Sequence, residues 1–151
     1  MPSIQTDKLG TVDYDEEQVV RFPGGIPPFA EEHNFVLLAR EEAGPVLFLQ
    51  SLERRDLAFV TLPVQSIDPD YHLDAPPEQL EVIGLSGARP PVIGVDVLCL
   101  AIITLAEPPT ANLLAPVVVN LANRLAVQAI QAGTGYAHQH PLEEKGKQER
   151  C

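Results

Sequence analysis

The sequence predicts an all-β fold of many short strands with one or two short helices. Two observations predict it. The chain of 151 residues holds 15 prolines, about twice the usual share, spread along its length rather than bunched. Each proline removes a backbone donor and breaks a helix interior. Between the prolines and glycines lie short runs of β-branched and large apolar residues, which fit a pleated sheet.

The elements follow in order. SIQT at Ser3–Thr6 reads as a strand, and GTVDY at residues 10–14 as a second with alternating faces. Asp15-Glu16-Glu17 is an acidic turn, and VVRF at residues 19–22 a third strand. That strand ends in PGGIPPF at residues 23–29, a dense block of chain breakers carrying the apolar residues Ile26 and Phe29. Residues 30–33 suit one helical turn. FVLL at residues 35–38 and VLFLQS at residues 46–51 form a hairpin across the turn EEAGP. LAFVTL at residues 57–62 is a strand stopped by Pro63, and Asp68-Pro69-Asp70-Tyr71 is a turn. PPEQLEVIG at residues 76–84 is the best helix candidate, with proline at its start, acids in its first turn and glycine at its stop. Residues 92–105 contain one long strand, firmest at AIITL.

The most informative stretch is TANLLAPVVVN at Thr110–Asn120, read as a loop that turns into a strand. Glu107-Pro108-Pro109 precedes it. Asn112 tolerates tight turns and bonds its own neighbouring backbone. Pro116 sets an extended entry into three consecutive valines. Leu113 and Leu114 are large and apolar, yet they lie in the loop. They either seal one end of the core or form an exposed patch for a partner. Residues 121–132 (LANRLAVQAIQA) fit helix by propensity and strand by alternation, and the residues alone leave both open. No internal repeat appears. A single domain over residues 1–142 is expected, with 143–151 a charged tail expected to be disordered.

Net charge is −11, from 21 acidic and 10 basic residues. That argues against direct nucleic-acid binding, which needs clustered cations, and it suits a soluble protein with a protein partner. Cys99 lies in the apolar run VLCLA and reads as a buried thiol; Cys151 ends the charged tail. Two such cysteines make no disulfide framework. Met1-Pro2-Ser3 runs quickly into polar sequence, so no secretory leader is expected. The apolar stretch at residues 97–106 is too short to span a bilayer as a helix. The cytoplasm is the expected location.

Little catalytic apparatus is visible. No G-x-S-x-G is present, and neither cysteine sits by a plausible base in a known pattern. His138 and His140 make an H-x-H that would need further ligands to hold zinc. Asp68, Asp70 and Asp74 lack the glycine and terminal glutamate of a calcium loop. Gly24-Gly25 lacks the lysine and hydroxyl of a phosphate loop. Neither metal nor cofactor is expected, and the residues describe a small β-rich interaction module.

Taken in order, several blocks resemble the FliW family of flagellar assembly factors. They are FPGGIP at residues 22–27, Phe29, FVLL at 35–38, LQSL at 49–52, DLAF at 56–59, Pro69-Asp70-Tyr71, TANLLAPVVVN at Thr110–Asn120, and His140-Pro141-Leu142. The resemblance implies a barrel-like all-β fold, with residues 121–132 as strand. It implies a cytoplasmic, non-enzymatic protein that binds flagellin and antagonises the translational regulator CsrA by partner switching. The family pattern has glycine where this chain has Pro28 and, in the last strand region, near Ala126. Proline fixes φ in the first loop, and alanine points to a lost bulge in the second. The expected partner-binding residues are Ile26, Phe29, Leu113 and Leu114, with Asn112 and Asn120 as polar supports. A flagellin chain end offering an amphipathic helix would dock its apolar face there. If those residues only seal the barrel, the surface lies elsewhere, on the acidic side at residues 13–17. A small β-barrel enzyme with an unrecognised site, or a structural domain of a larger assembly, are the competing classes.

The charge generates a first prediction. The protein alone should not be retained by flagellin leader RNA in a filter-binding assay; salt-sensitive retention without a partner would contradict it.

Overall fold

The computed structural model describes residues 2–26, 29–40, 42, 44–85, 90–131 and 135–142. The expected tail and its Cys151 lie outside the described residues, as does Pro28. Ten strands are described: β1 (Ser3–Thr6), β2 (Gly10–Asp13), β3 (Val19–Arg21), β4 (Asn34–Ala39), β5 (Leu47–Ser51), β6 (Ala58–Pro63), β7 (Val97–Thr104), β8 (Thr110–Asn120), β9 (Ala126–Gln128) and β10 (His140–Pro141). Two short helices join them, α1 (Val64–Ile67) and α2 (Pro77–Val82), with a 3-10 turn at Glu16–Gln18.

β1 and β2 form a separate hairpin, and the other eight strands form one antiparallel sheet in the order β10-β8-β7-β6-β5-β4-β3, with β9 also on β8. The sheet curls until its two ends meet. Arg21 of β3 bridges Leu125 ahead of β9, and its N–H donates to the Arg124 carbonyl at 3.0 Å. The result is the nearly closed barrel that the family resemblance implies.

Alternation along the strands sorts the side chains. Phe35 and Leu37 of β4, Leu49 of β5, Leu100 of β7 and Val117 and Val119 of β8 point into the barrel. Val36 and Leu38 point outward and are covered by Val12 of the β1–β2 hairpin. Val97, Cys99 and Ala101 of β7 and Val118 of β8 also point outward, beneath Val64 of α1, Tyr71 and Ile83. The sheet is thus sandwiched between a barrel interior and two outer layers.

Helix α2 is placed as its sequence predicts. Proline occupies its start, and its end closes on Gly84 at φ +82°, where the Leu85 N–H reaches the Leu80 carbonyl at 3.0 Å. The segment at residues 121–132 is strand in its middle. Ala126, Val127 and Gln128 pair in unbroken register with Val119, Val118 and Val117, and Ala126 makes no bulge.

The long strand expected within residues 92–105 is β7, Val97–Thr104. Ahead of it Asp96 turns the chain: its carboxylate accepts from the Val92 N–H, and its own N–H donates to the Val92 carbonyl, both at 2.8 Å. Two expectations change. Residues 30–33 are turn and extended chain rather than a helical turn. Helix α1, which the sequence reading missed, follows directly on Pro63, itself the last residue of β6. A proline ending a strand and preset in φ is a fitting residue to precede a helix.

Gly25 is the glycine the fold most needs. Its φ is +75°, and a Cβ there would lie 2.3 Å from the Ala30 carbonyl oxygen. Gly25→Ala should therefore destabilise the protein by more than about 1 kcal/mol in urea unfolding, whereas Gly24→Ala, with open space around it, should cost much less.

Candidate partner-binding surface

The loop after β3 is closed by its own backbone. The Gly25 N–H donates to the Phe22 carbonyl at 2.9 Å, and Ile26 and Phe29 bridge each other. Ile26 is thereby driven into the barrel and is 0% exposed. Phe29 is half-buried, edge-on to Phe59 at 6.2 Å, with the Arg54 guanidinium 5.4 Å from its ring centre. Arg54 is fixed in turn by two bonds to the Asp56 carboxylate, at 3.2 and 3.0 Å. The loop that carries Arg54 is tightly tied. Ser51 Oγ accepts from the Glu53 and Arg54 N–H groups, and the Gln50 side chain, itself buried, donates to the Ser51 and Arg54 carbonyls. The Glu53 carboxylate accepts from the His33 N–H, a bond that lowers its pKa below the ordinary value. Phe29 and Arg54 thus form a braced, partly open face.

Thr110–Asn120 is one strand throughout, but a broken one. Leu100 pairs with Val117 and Ile102 with Asn112, so Ala101 alone faces residues 113–116. This wide bulge is the loop seen in the sequence. Asn112 Oδ1 holds it by accepting from the Leu114 and Ala115 N–H groups at 3.1 and 2.9 Å. Leu113 turns inward and is 1% exposed. Its carbonyl accepts from the Tyr71 hydroxyl at 2.6 Å and from Gln131 Nε2 at 3.3 Å, while its N–H donates to the Ala137 carbonyl. Tyr71 stacks on Tyr136 at 4.3 Å, and burial pushes its phenol pKa well up. Tyr71 and Gln131 were not singled out as site residues, since nothing local in sequence announces a bond across 60 positions. Leu114 stays half-buried.

Asn120 lies at the far end of the same strand. It is 4% exposed, and its Nδ2 donates to the Ile83 carbonyl at the end of α2 at 2.7 Å. Its Oδ1 accepts from the Ala122 N–H at 2.9 Å. It is a helix-end anchor inside the fold.

The six expected residues therefore occupy three places and do not form one patch. Ile26 belongs to the barrel interior, Leu113 to the layer beneath the helices, and Asn120 to the end of α2. Ile26 and Leu113 are both buried, because the bridge and the bulge aim the two side chains inward. Phe29 and Leu114 keep open surface, and Asn112 supports the bulge.

An apolar groove not foreseen in the sequence is lined by residues of β3, β4, β5, β7 and β8 and of the turns before β3 and after β8. Its volume is about 500 Å³. Val20, Leu37, Leu47, Leu98 and Val119 make its floor. Glu17 and Gln18 stand on one rim, Leu121 and Arg124 on the other. Arg124 adopts the left-handed region, at φ +62°. The acidic side at residues 13–17 thus borders an apolar opening, which only the curl of the sheet creates.

Among the described residues no three His, Cys, Asp or Glu side chains gather to hold a metal. Burial pushes the Cys99 thiol up to about 12, which suits a packing role.

Leu113→Ala should cost about 2–5 kcal/mol in chemical unfolding, the range for a buried leucine leaving a cavity; Leu114→Ala, on the same bulge but half-buried, should cost clearly less.

The comparisons agree with this geometry. The model of the FliW protein family matches residues 3–142. The flagellar assembly factor FliW of Geobacillus sp. (strain WCH70) is 39% identical over 142 residues, covering 92% of this chain and 94% of the relative. That of Bacillus subtilis (strain 168) is 34% identical with similar coverage, 92% and 95%. A crystal structure of the flagellar assembly factor FliW superposes with a TM-score of 0.80 at 37% identity, over 95% of this chain and 99% of that one. With the family model spanning the whole barrel and both outer layers, the chain belongs to the FliW family of flagellar assembly factors.

Proposed function

We propose that this protein binds flagellin in the cytoplasm and, by partner switching, antagonises the translational regulator CsrA. Free protein holds the regulator off flagellin mRNA; unassembled flagellin captures the protein and releases the regulator to repress. The observation that carries this reading is family membership over nearly the full chain. Net charge of −11 supports it, because an effect on translation must then pass through a protein partner. The role is one of binding, without catalysis, metal or cofactor.

Within this proposal Phe29 and Leu114 are direct contacts, since both keep open surface. Ile26, Asn112, Leu113 and Asn120 act by holding the frame. Phe29 is the stronger anchor, an aromatic ring braced by Arg54 and Phe59.

Two titrations test the proposal. Isothermal titration with flagellin monomer should show a stable complex, and flagellin added to a complex of this protein with CsrA should free the regulator to bind leader RNA. Absence of flagellin binding defeats the proposal. Phe29→Ala should weaken flagellin capture by about 1 kcal/mol or more with the fold retained; unchanged affinity removes Phe29 from the surface.

A further inference from the structure

The β1–β2 hairpin is a two-stranded sheet of its own and shares no backbone ladder with the eight-stranded sheet. Among the described residues, its polar ties to the barrel gather at the hairpin turn. The Asp7 N–H donates to the Arg55 carbonyl at 3.0 Å, the Asp7 carboxylate pairs with Arg55 Nε at 3.0 Å, and Arg40 Nη2 donates to the Leu9 carbonyl at 3.2 Å. The Asp7–Arg55 pair is exposed on both sides, so it adds little hold. The two strands themselves are held by apolar contact. Val12, with Ile4 and Leu9, lies over Val36 and Leu38 of β4 and Phe48 of β5.

This layer is small and separate from the barrel interior. Phe35 and Leu49 fill that interior from the opposite face of β4 and β5. Lifting the hairpin therefore removes one layer and leaves the barrel core in place. The chain is pinned again just beyond β2. The Asp15 N–H donates to Gln18 Oε1 at 2.8 Å, and Gln18 Nε2 donates to the Leu37 carbonyl at 3.1 Å. A hinge at residues 13–15 would thus move the hairpin without disturbing β3.

A buried polar atom lies in the same layer. Gln50 sits opposite Val36 across the β4–β5 pair, so its side chain shares the face under the hairpin. It is 0% exposed, and its Oε1 has no hydrogen-bond partner among the described residues. An unpaired buried oxygen costs free energy that contact with water returns. Few buried apolar contacts and an unsatisfied group are the marks of a unit that opens before the rest of a fold.

We propose that the β1–β2 hairpin is a detachable strap, which opens as one unit about residues 13–15 and uncovers Val36, Leu38 and Phe48 while the barrel stays folded. Water then reaches Gln50 Oε1, which offsets part of the apolar exposure. The strap sets how much apolar surface the outer face of β4 and β5 presents, and it does so whichever partner the protein binds.

Native-state hydrogen exchange on the full chain, followed by NMR, tests this. The Asp7 and Leu9 amides, bonded to the Arg55 carbonyl and to Thr6 Oγ1, report the turn; the Tyr14 amide, bonded to the Pro2 carbonyl, reports the other end. All three should share one opening constant, at least about tenfold larger than that of the slowest amides of β7 and β8. Val117, inside the barrel, keeps its contacts when the strap opens, whereas Val12 loses its own. Val117→Ala should therefore speed exchange in β7 and β8 and leave the three strap amides unchanged, while Val12→Ala should speed the strap amides. A Leu38→Cys thiol should be alkylated in the folded protein far faster than a Leu49→Cys thiol on the barrel side. Strap amides as protected as the slowest of the barrel overturn the inference, as does their acceleration by Val117→Ala. Protection that rises step by step from Tyr14 to the turn is fraying of an end and overturns it too, and so does a Leu38→Cys thiol as slow as Leu49→Cys. Exchange in the wild type decides alone if a variant fails to fold.

Discussion

The pairing of β7 with β8 is the constraint on which the rest of the molecule depends. Both strands are buried on two faces, so successive residues must satisfy different cores. Leu98, Leu100, Val117 and Val119 fill the barrel, while Val97, Cys99, Ala101 and Val118 pack beneath the helices. A slip of one residue would exchange the two sets. Two-sided burial explains why these strands read as unbroken apolar runs, and it pushes the Cys99 thiol of β7 up to about 12.

That register is not carried to the end of the pair. The bulge at residues 113–116 inserts extra backbone opposite Ala101, and inserted backbone needs hydrogen-bond partners. Asn112, Tyr71, Gln131 and Ala137 supply them. Gln131 also accepts from the Asp74 N–H, so the long irregular segment after α1 is tied to the same place. The leucine at the centre of this network is a structural pin. Its neighbour Leu114 shows how a single step along a bulge separates core from surface.

The ends of the sheet meet where Arg21 of the three-residue β3 bridges Leu125. An apolar groove lined by Val20, Leu37, Leu47, Leu98 and Val119 has Glu17 and Arg124 beside it. The two partly open faces, one at Phe29 and Arg54 and one at this groove, are set apart along β4 and β5.

The sequence by itself determined most of the strands and helix α2, though not α1 or the chain at residues 30–33. β-branched runs between prolines and the proline-to-glycine frame of α2 are short-range signals, and these placed their elements to within a few residues. The ordered blocks from Phe22 to Leu142 identified the family. Only the tertiary structure decided which apolar loop residues are surface. Ile26 and Phe29 look alike in a proline-rich loop, yet one backbone bridge buries the first and leaves the second half open. Leu113 and Leu114 are adjacent and identical, and the bulge parts them. The groove had no sequence signature, because Leu47, Leu98 and Val119 are ordinary strand residues until the curl of the sheet brings them to one groove. Pattern records the side of an element that is apolar; which of those sides remains uncovered depends on the closure of the whole sheet.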